Sequence, residues 1–304
     1  MSKRQSYKLQ KTPNKKKRTK YKMKNKPVLS TTPGPIGVFD SGYGGLTILE
    51  KIRAELPEYD YIYFGDNART PYGTRSFDVV YRYTLECVIK LFEMGCQLVV
   101  LACNTASAKA LRSIQQRDLP FLDQNRRVLG VIRPTVEAVG EMTQTRHIGL
   151  LATAGTVLSN SYPLEIQKIY DDVIVVSEAC PMWVPLIENN EYKSEGADYF
   201  VKKNVQHLLA ADPKIDTIML GCTHYPLLKD KIQALVSKEI TVVSQGEIVA
   251  KSLADYLSRH PEMNELCTRN GSIRYFSTES VEKFSSSASI FLNEEIKAEH
   301  IDLG

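Results

Sequence analysis

The sequence predicts an α/β fold in which two open parallel-sheet units stand in tandem, and three observations lead there. From Ile36 onward, short apolar runs alternate with amphipathic segments of helix length, the pattern of a parallel sheet covered by helices on both faces. Those runs, such as 98–102 and 215–220, fall far short of the roughly 20 residues that span a bilayer, so no transmembrane helix is predicted. The chain also resembles itself. Ile36-Gly37-Val38-Phe39-Asp40-Ser41 lies over Ile148-Gly149-Leu150-Leu151-Ala152-Thr153 at an offset of 112 residues. Leu98-Val99-Val100-Leu101-Ala102-Cys103 lies over Thr217-Ile218-Met219-Leu220-Gly221-Cys222 at an offset of 119. Two matches in the same order at nearly equal offsets point to a duplicated unit, each copy closing a buried strand with a cysteine.

In chain order, the first apolar run, 36–39, reads as a strand, and the amphipathic segment 45–55 behind it as a helix. The aromatic run 61–64 and the helix 75–94 repeat that pairing, as do strand 98–102 and helix 105–115. Strands at 128–131 and 147–152 are followed by helices at 135–142 and 159–170. Strands at 172–176, 217–221 and 240–243 complete the set, with helices at 194–209, 225–235 and 246–258.

The 304 residues are 43% hydrophobic and 24% charged, ordinary globular usage that excludes a collagenous, mucin-like or wholly disordered chain. The net charge of +4 hides an asymmetry: residues 1–26 hold 12 of the 39 Lys and Arg and none of the Asp and Glu, and the remainder carries 27 basic against 35 acidic residues. Residues 1–33 are therefore expected to form a disordered basic tail, too poor in apolar residues to offset the entropy of ordering. A solvated extension, or a start at Met23, accounts for this tail better than a nucleic-acid contact, since no nucleic-acid motif accompanies it. No signal-peptide core follows the basic stretch, because 27–34 is too short and too polar. The six cysteines lack zinc-finger spacing and are too sparse for a disulfide scaffold, which suggests free thiols in a cytoplasmic protein.

Ligands of open α/β sheets bind beyond the carboxyl ends of the strands, where helix N-termini present free N–H groups. Cys103 and Cys222 both stand at such ends, where the helix N-terminus is expected to lower a thiol's pKa and favour the thiolate. One buried cysteine would pass as a small hydrophobe. Two at equivalent repeat positions suit stereoinversion across a cleft, one thiolate taking a proton from an α-carbon while the opposite thiol supplies one. The run Gly42-Tyr43-Gly44-Gly45 lacks the third glycine of a dinucleotide loop, since position 47 is Thr, and is taken to bring backbone close to substrate. No organic cofactor is implied, and no metal, because Cys222 and His224 lack further ligands at suitable spacing.

Five motifs carry a wider resemblance: Phe39-Asp40-Ser41-Gly42 with Gly44-Gly45-Leu46; Asp66-Asn67-Ala68-Arg69 before Pro71-Tyr72-Gly73; Ala102-Cys103-Asn104-Thr105-Ala106-Ser107; Cys180-Pro181 with Val184-Pro185-Leu186-Ile187-Glu188; and Gly221-Cys222-Thr223-His224-Tyr225-Pro226. From about Pro35 to the C-terminus the chain resembles the cofactor-independent glutamate racemases of the aspartate/glutamate racemase superfamily. The resemblance implies two α/β domains with the active site in the cleft between them, residues 34–128 joining 241–304 and residues 129–240 forming the second. It implies interconversion of L- and D-glutamate, supplying D-glutamate for bacterial peptidoglycan, with Cys103 acting on the D- and Cys222 on the L-enantiomer. Asp40, His224 and Glu188 match the polar groups beside the thiols. Asp40, Ser41, Tyr72, Gly73, Asn104, Thr105, Thr223 and His224 match the substrate-binding set, whose N–H and O–H donors hold carboxylates without a cation competing for the thiolates.

Two departures stand out. Ser244-Gln245-Gly246 replaces an acidic residue followed by Ser or Pro and Gly, with Ser244 still able to cap the next helix. Tyr43 replaces a smaller residue and is expected to narrow or gate the cleft. An aspartate racemase or a one-cysteine decarboxylase is the alternative within the superfamily; the paired cysteines oppose the second. Expected partners are a small-molecule substrate and no membrane; a homodimer is compatible with the sequence.

Overall fold

A computed structural model describes residues 29–292 and 296–303. Among the described residues ten strands follow in chain order: β1 (Ile36–Asp40), β2 (Tyr61–Gly65), β3 (Leu98–Leu101), β4 (Arg127–Gly130), β5 (His147–Ala152), β6 (Ile174–Ala179), β7 (Thr217–Gly221), β8 (Thr241–Val243), β9 (Ile273–Ser277) and β10 (Ala298–His300). They form two parallel sheets, β10-β9-β2-β1-β3-β4 and β6-β5-β7-β8. The order β2-β1-β3-β4 in the first recurs as β6-β5-β7-β8 in the second, so the duplication read from the two sequence matches is a duplication of architecture. The inner strands β1, β2, β3 and β7 are buried along their whole length, as strands covered on both faces must be.

Register explains why both cysteines emerge at strand ends. Phe39 pairs with Leu101, so Ser41 stands level with Cys103 two residues further on. Ala152 pairs with Gly221, which brings Thr153 level with Cys222 in the second sheet. The chain then crosses between the units. The helix Gly246–Arg259 leaves the second sheet after β8, packs on Leu46–Glu55 of the first unit and on Ile132–Met142, and the chain returns through β9 and β10 to the first sheet.

Several boundaries differ from expectation. Residues 241–243, assigned to the first unit from sequence, pair with β7 and belong to the second sheet. The helix expected at 159–170 is two short helices, Ala154–Ser159 and Ser161–Ile166, parted by Asn160 in the left-handed region at φ 54°, a conformation Asn tolerates better than most residues. Residues 1–28 of the expected basic tail lie outside the described residues. Its last part is held against the body of the protein: the Gln97 side-chain amide donates to the carbonyls of Ser30 (3.1 Å) and Thr32 (2.7 Å). Among the described residues, no helix is long and apolar enough to cross a membrane.

Candidate active site

Strand ends of both sheets meet at a cavity of about 70 Å³. Ser41, Tyr72, Gly73, Cys103, Asn104, Thr105, Cys222, Thr223 and His224 all border it. Asp40 and Glu188, the remaining residues expected in the site, do not line it but are hydrogen-bonded to the lining residues Thr223 and His224. A larger cavity of about 840 Å³ holds none of these residues, so chemistry rather than size marks the smaller one.

Cys103 ends the loop after β3 and caps the helix Asn104–Lys109, its Sγ accepting from the Ala106 N–H at 3.4 Å. Ser41 Oγ is hydrogen-bonded to the same sulfur at 3.2 Å. These contacts favour a thiolate, as expected of a helix N-terminus, but they do not prevail. Burial and the nearby Asp40 carboxylate push the Cys103 thiol up to about 12, opposite to the lowering expected from sequence. Asp40 itself is wholly buried at the end of β1, accepting from the Gly42 N–H at 2.9 Å and from Thr223 Oγ1 at 3.4 Å. Burial raises its pKa above the ordinary carboxylate value, and the charge of His224 and the backbone N–H groups offset only part of that.

Cys222 has a different neighbour. His224 Nδ1 lies 3.9 Å from Cys222 Sγ, and His224 Nε2 lies 3.0 Å from Glu188 Oε1. Glu188 reaches inward from the end of the helix Trp183–Glu188. Burial works to lower the imidazole pKa; the hydrogen bonds and charges of Cys222 and Glu188 overcome it and hold His224 up to about 10. At neutral pH this imidazolium is a proton source beside one thiol, while the other thiol keeps its own proton. The Phe291 ring packs edge-on against His224 at 5.4 Å, excluding water from that side.

The glycine loop packs closely on these side chains and does not line the cavity. A Cβ on Gly44 would fall 2.4 Å from both His224 Nδ1 and Thr223 Oγ1, and one on Gly45 2.5 Å from the Asp40 Cβ. Tyr43 does not line the cavity; its ring is buried against Phe284 and Phe291 of the helix Val281–Leu292. Tyr72 borders the cavity, but its hydroxyl donates to Asp66, which also accepts from Arg69 Nε at 2.7 Å. It therefore contributes wall rather than a free hydroxyl. Ser244 caps nothing: its hydroxyl is buried without a partner, and Gln245 occupies the N-cap position of the next helix.

Sequence reasoning missed Thr153, Cys180, Pro181 and Val184 as lining residues. Thr153 had a signal, since the 112-residue offset sets it against Ser41. It caps its own helix and lies 3.0 Å from Thr105 Oγ1, joining the two units across the cleft. A second cross-cleft bond runs from the Gly155 N–H to the Gly73 carbonyl at 2.7 Å. Among the described residues, no three His, Cys, Asp or Glu side chains are grouped to hold a metal ion.

Comparison with known proteins agrees with the architecture. A profile described as Asp/Glu/Hydantoin racemase matches residues 41–253. The glutamate racemase of Ruegeria sp. (strain TM1040) is 39% identical over 274 residues, covering 87% of this chain and 98% of that protein. Among solved structures, the glutamate racemase isoform RacE1 from Bacillus anthracis aligns with a TM-score of 0.80 at 34% identity, over 89% of this chain and 98% of that one. The glutamate racemase from Francisella tularensis subsp. tularensis, solved in complex with D-glutamate, aligns with a TM-score of 0.79 at 32% identity and the same coverage. Twin parallel sheets and this kinship make the chain an amino-acid racemase, an isomerase. It belongs to the Asp/Glu/Hydantoin racemase family.

Proposed function

We propose that this racemase interconverts L- and D-glutamate by two-base proton transfer between Cys103 and Cys222. The observation that carries the reading is that both thiols, one from each copy of the duplicated unit, border a single small cavity. The likeness to glutamate racemases, one of them solved with D-glutamate, supports glutamate as substrate. In the forward direction the Cys222 thiolate takes the α-proton of L-glutamate, and the electron pair left on the α-carbon spreads into the α-carboxylate. The Cys103 thiol then delivers its proton to the opposite face, giving D-glutamate and a Cys103 thiolate. One proton leaves the α-carbon and one arrives, so only the sulfurs change protonation. To reset the site, the Cys222 thiol gives up its new proton on the side of His224 and Glu188, and the Cys103 thiolate takes one up on the side of Asp40 and Ser41. The substrate ammonium adds the positive charge that a Cys103 thiolate otherwise lacks, which makes removal of the D-enantiomer's proton feasible despite the raised thiol pKa.

The N–H and O–H groups of Ser41, Gly73, Asn104, Thr105 and Thr223 bind the two carboxylates, and D-glutamate passes to peptidoglycan synthesis. The six cysteines are all unpaired and buried, consistent with a reducing cytoplasm. Residues 34–130 with 260–292 and 296–303, and residues 131–243, are the two domains of this reading, joined through the helix Gly246–Arg259. Proton NMR of the purified protein with L-glutamate in D₂O, with no added cofactor, followed by chiral analysis, tests the function. The expected product is D-glutamate deuterated at the α-carbon. Turnover of aspartate instead would transfer the assignment to an aspartate racemase, and inertness toward both in folded, reduced protein would overturn it.

A further inference from the structure

Behind Cys103 lies a closed polar ring that the proposed proton transfer does not use. Asn104 Nδ2 donates to Gln245 Oε1 at 2.6 Å; Gln245 Nε2 donates to Tyr162 Oη at 2.7 Å and to Thr135 Oγ1 at 2.8 Å; the Tyr162 hydroxyl donates back to Asn104 Oδ1. All four residues are buried, Gln245 to 2% exposure.

The ring has a direction, and a backbone carbonyl sets it. Thr135 Oγ1 donates to the Val131 carbonyl at 2.7 Å, one helical turn back, so its proton is committed there and it accepts from Gln245. That fixes the Gln245 amide with Nε2 toward Thr135 and Oε1 toward Asn104. Oε1 accepts, so the Asn104 atom facing it is Nδ2, and Asn104 Oδ1 is left to the Tyr162 hydroxyl. Reversing any one amide would bring two acceptors or two donors together in a dry site, which is costly. Asn104 therefore cannot turn its amide. The ring uses one of its two Nδ2 protons, and the other remains for the cavity that Asn104 borders.

Gln245 does not border the cavity. It is also the residue that stands where the resemblance leads one to expect Ser or Pro, side chains too short or too apolar to complete such a ring. We propose that Gln245 is a positioning residue: it locks Asn104, the neighbour of Cys103, as a hydrogen-bond donor toward a carboxylate of the substrate. The proposal rests on the reading that this cavity binds glutamate. Three of the four members, Thr135, Tyr162 and Gln245, come from the second unit or the crossing that follows it, and Asn104 from the first. Substrate binding in this protein is thereby tied to the seam between its units.

Steady-state kinetics of the full chain test this in both directions, with Gln245→Met as an apolar replacement of similar volume and Tyr162→Phe as a milder break of the same ring. Gln245→Met should raise the KM for L- and D-glutamate about tenfold, the effect of losing one aligned donor, and Tyr162→Phe, which keeps the Gln245 contact to Asn104, about threefold, while kcat falls by less than about threefold in both. A merely structural role would lower the melting temperature and the fraction of active protein, moving kcat and leaving KM alone. Unchanged KM values in an active Tyr162→Phe or Gln245→Met protein would overturn the proposal and leave the glutamate reading intact. A wild-type protein inert toward glutamate would overturn that reading and the proposal with it.

Discussion

At the residue scale, His224 shows how partners decide a buried group's charge. Burial disfavours an imidazolium, yet Glu188 at 3.0 Å and Cys222 at 3.9 Å hold its pKa up to about 10. A pKa raised on folding from the ordinary 6.5 means that the folded state binds the proton more tightly. The resulting stabilisation is complete below about pH 6.5 and is lost as pH rises through about 10. Calorimetric melting temperatures should therefore fall more steeply between pH 7 and 10 for wild type than for His224→Asn. The Cys103 thiol, raised to about 12, loses its stabilisation mainly above pH 9 and does so in both proteins, so the difference between pH 7 and 9 reports His224; parallel curves would refute its protonation. Cys103 and Cys222 were legible because each follows an apolar run at a strand end, whereas Asp40 and His224 were named only through the motifs that carry the resemblance. The Tyr72 hydroxyl and Gln245 were not, since their partners lie at positions the chain reaches only by folding.

Elements legible from sequence are those buried on both faces. β1, β3, β5 and β7 read as unbroken apolar runs and were located to within a residue or so. β6 was cut short at Val176 although it runs to Ala179, because an edge strand admits Ser177 and Glu178. β9 and β10 were missed for a related reason: Ile273–Ser277 and Ala298–His300 carry exposed charged residues at the outer side of their sheet. The short helix Ala154–Ser159 was missed because Asn160 breaks the periodicity. That helix matters to the cleft, since Gly73 from the first unit lies against its start. A Cβ on Gly73 would approach the Thr153 Cβ to 2.9 Å and push the loop away from Gly155. Gly73→Ala should reduce kcat/KM for glutamate by about tenfold or more while shifting the melting temperature by only a few degrees, because the clash falls on a loop rather than in the core. Unaltered kinetics would show that the loop has room to move.

For the whole molecule, duplication is the organising fact. Two sheets with the same strand order present a cysteine each to one cavity, but the copies have diverged in how they treat it. The first surrounds its thiol with Asp40 and Ser41, the second with His224 and Glu188. The sequence matches made the duplication visible; the crossing through Gly246–Arg259 was not visible in them, because no local pattern says which unit a helix packs against. In the proposed mechanism each thiol serves one face of the α-carbon. Exchange of the α-proton in D₂O, followed separately for L- and D-glutamate with Cys103→Ser and Cys222→Ser, tests it most directly. Neither variant should racemise, Cys103→Ser should exchange the α-proton of L-glutamate alone, and Cys222→Ser that of D-glutamate alone. Racemisation at a near wild-type rate by either variant would contradict the two-base account.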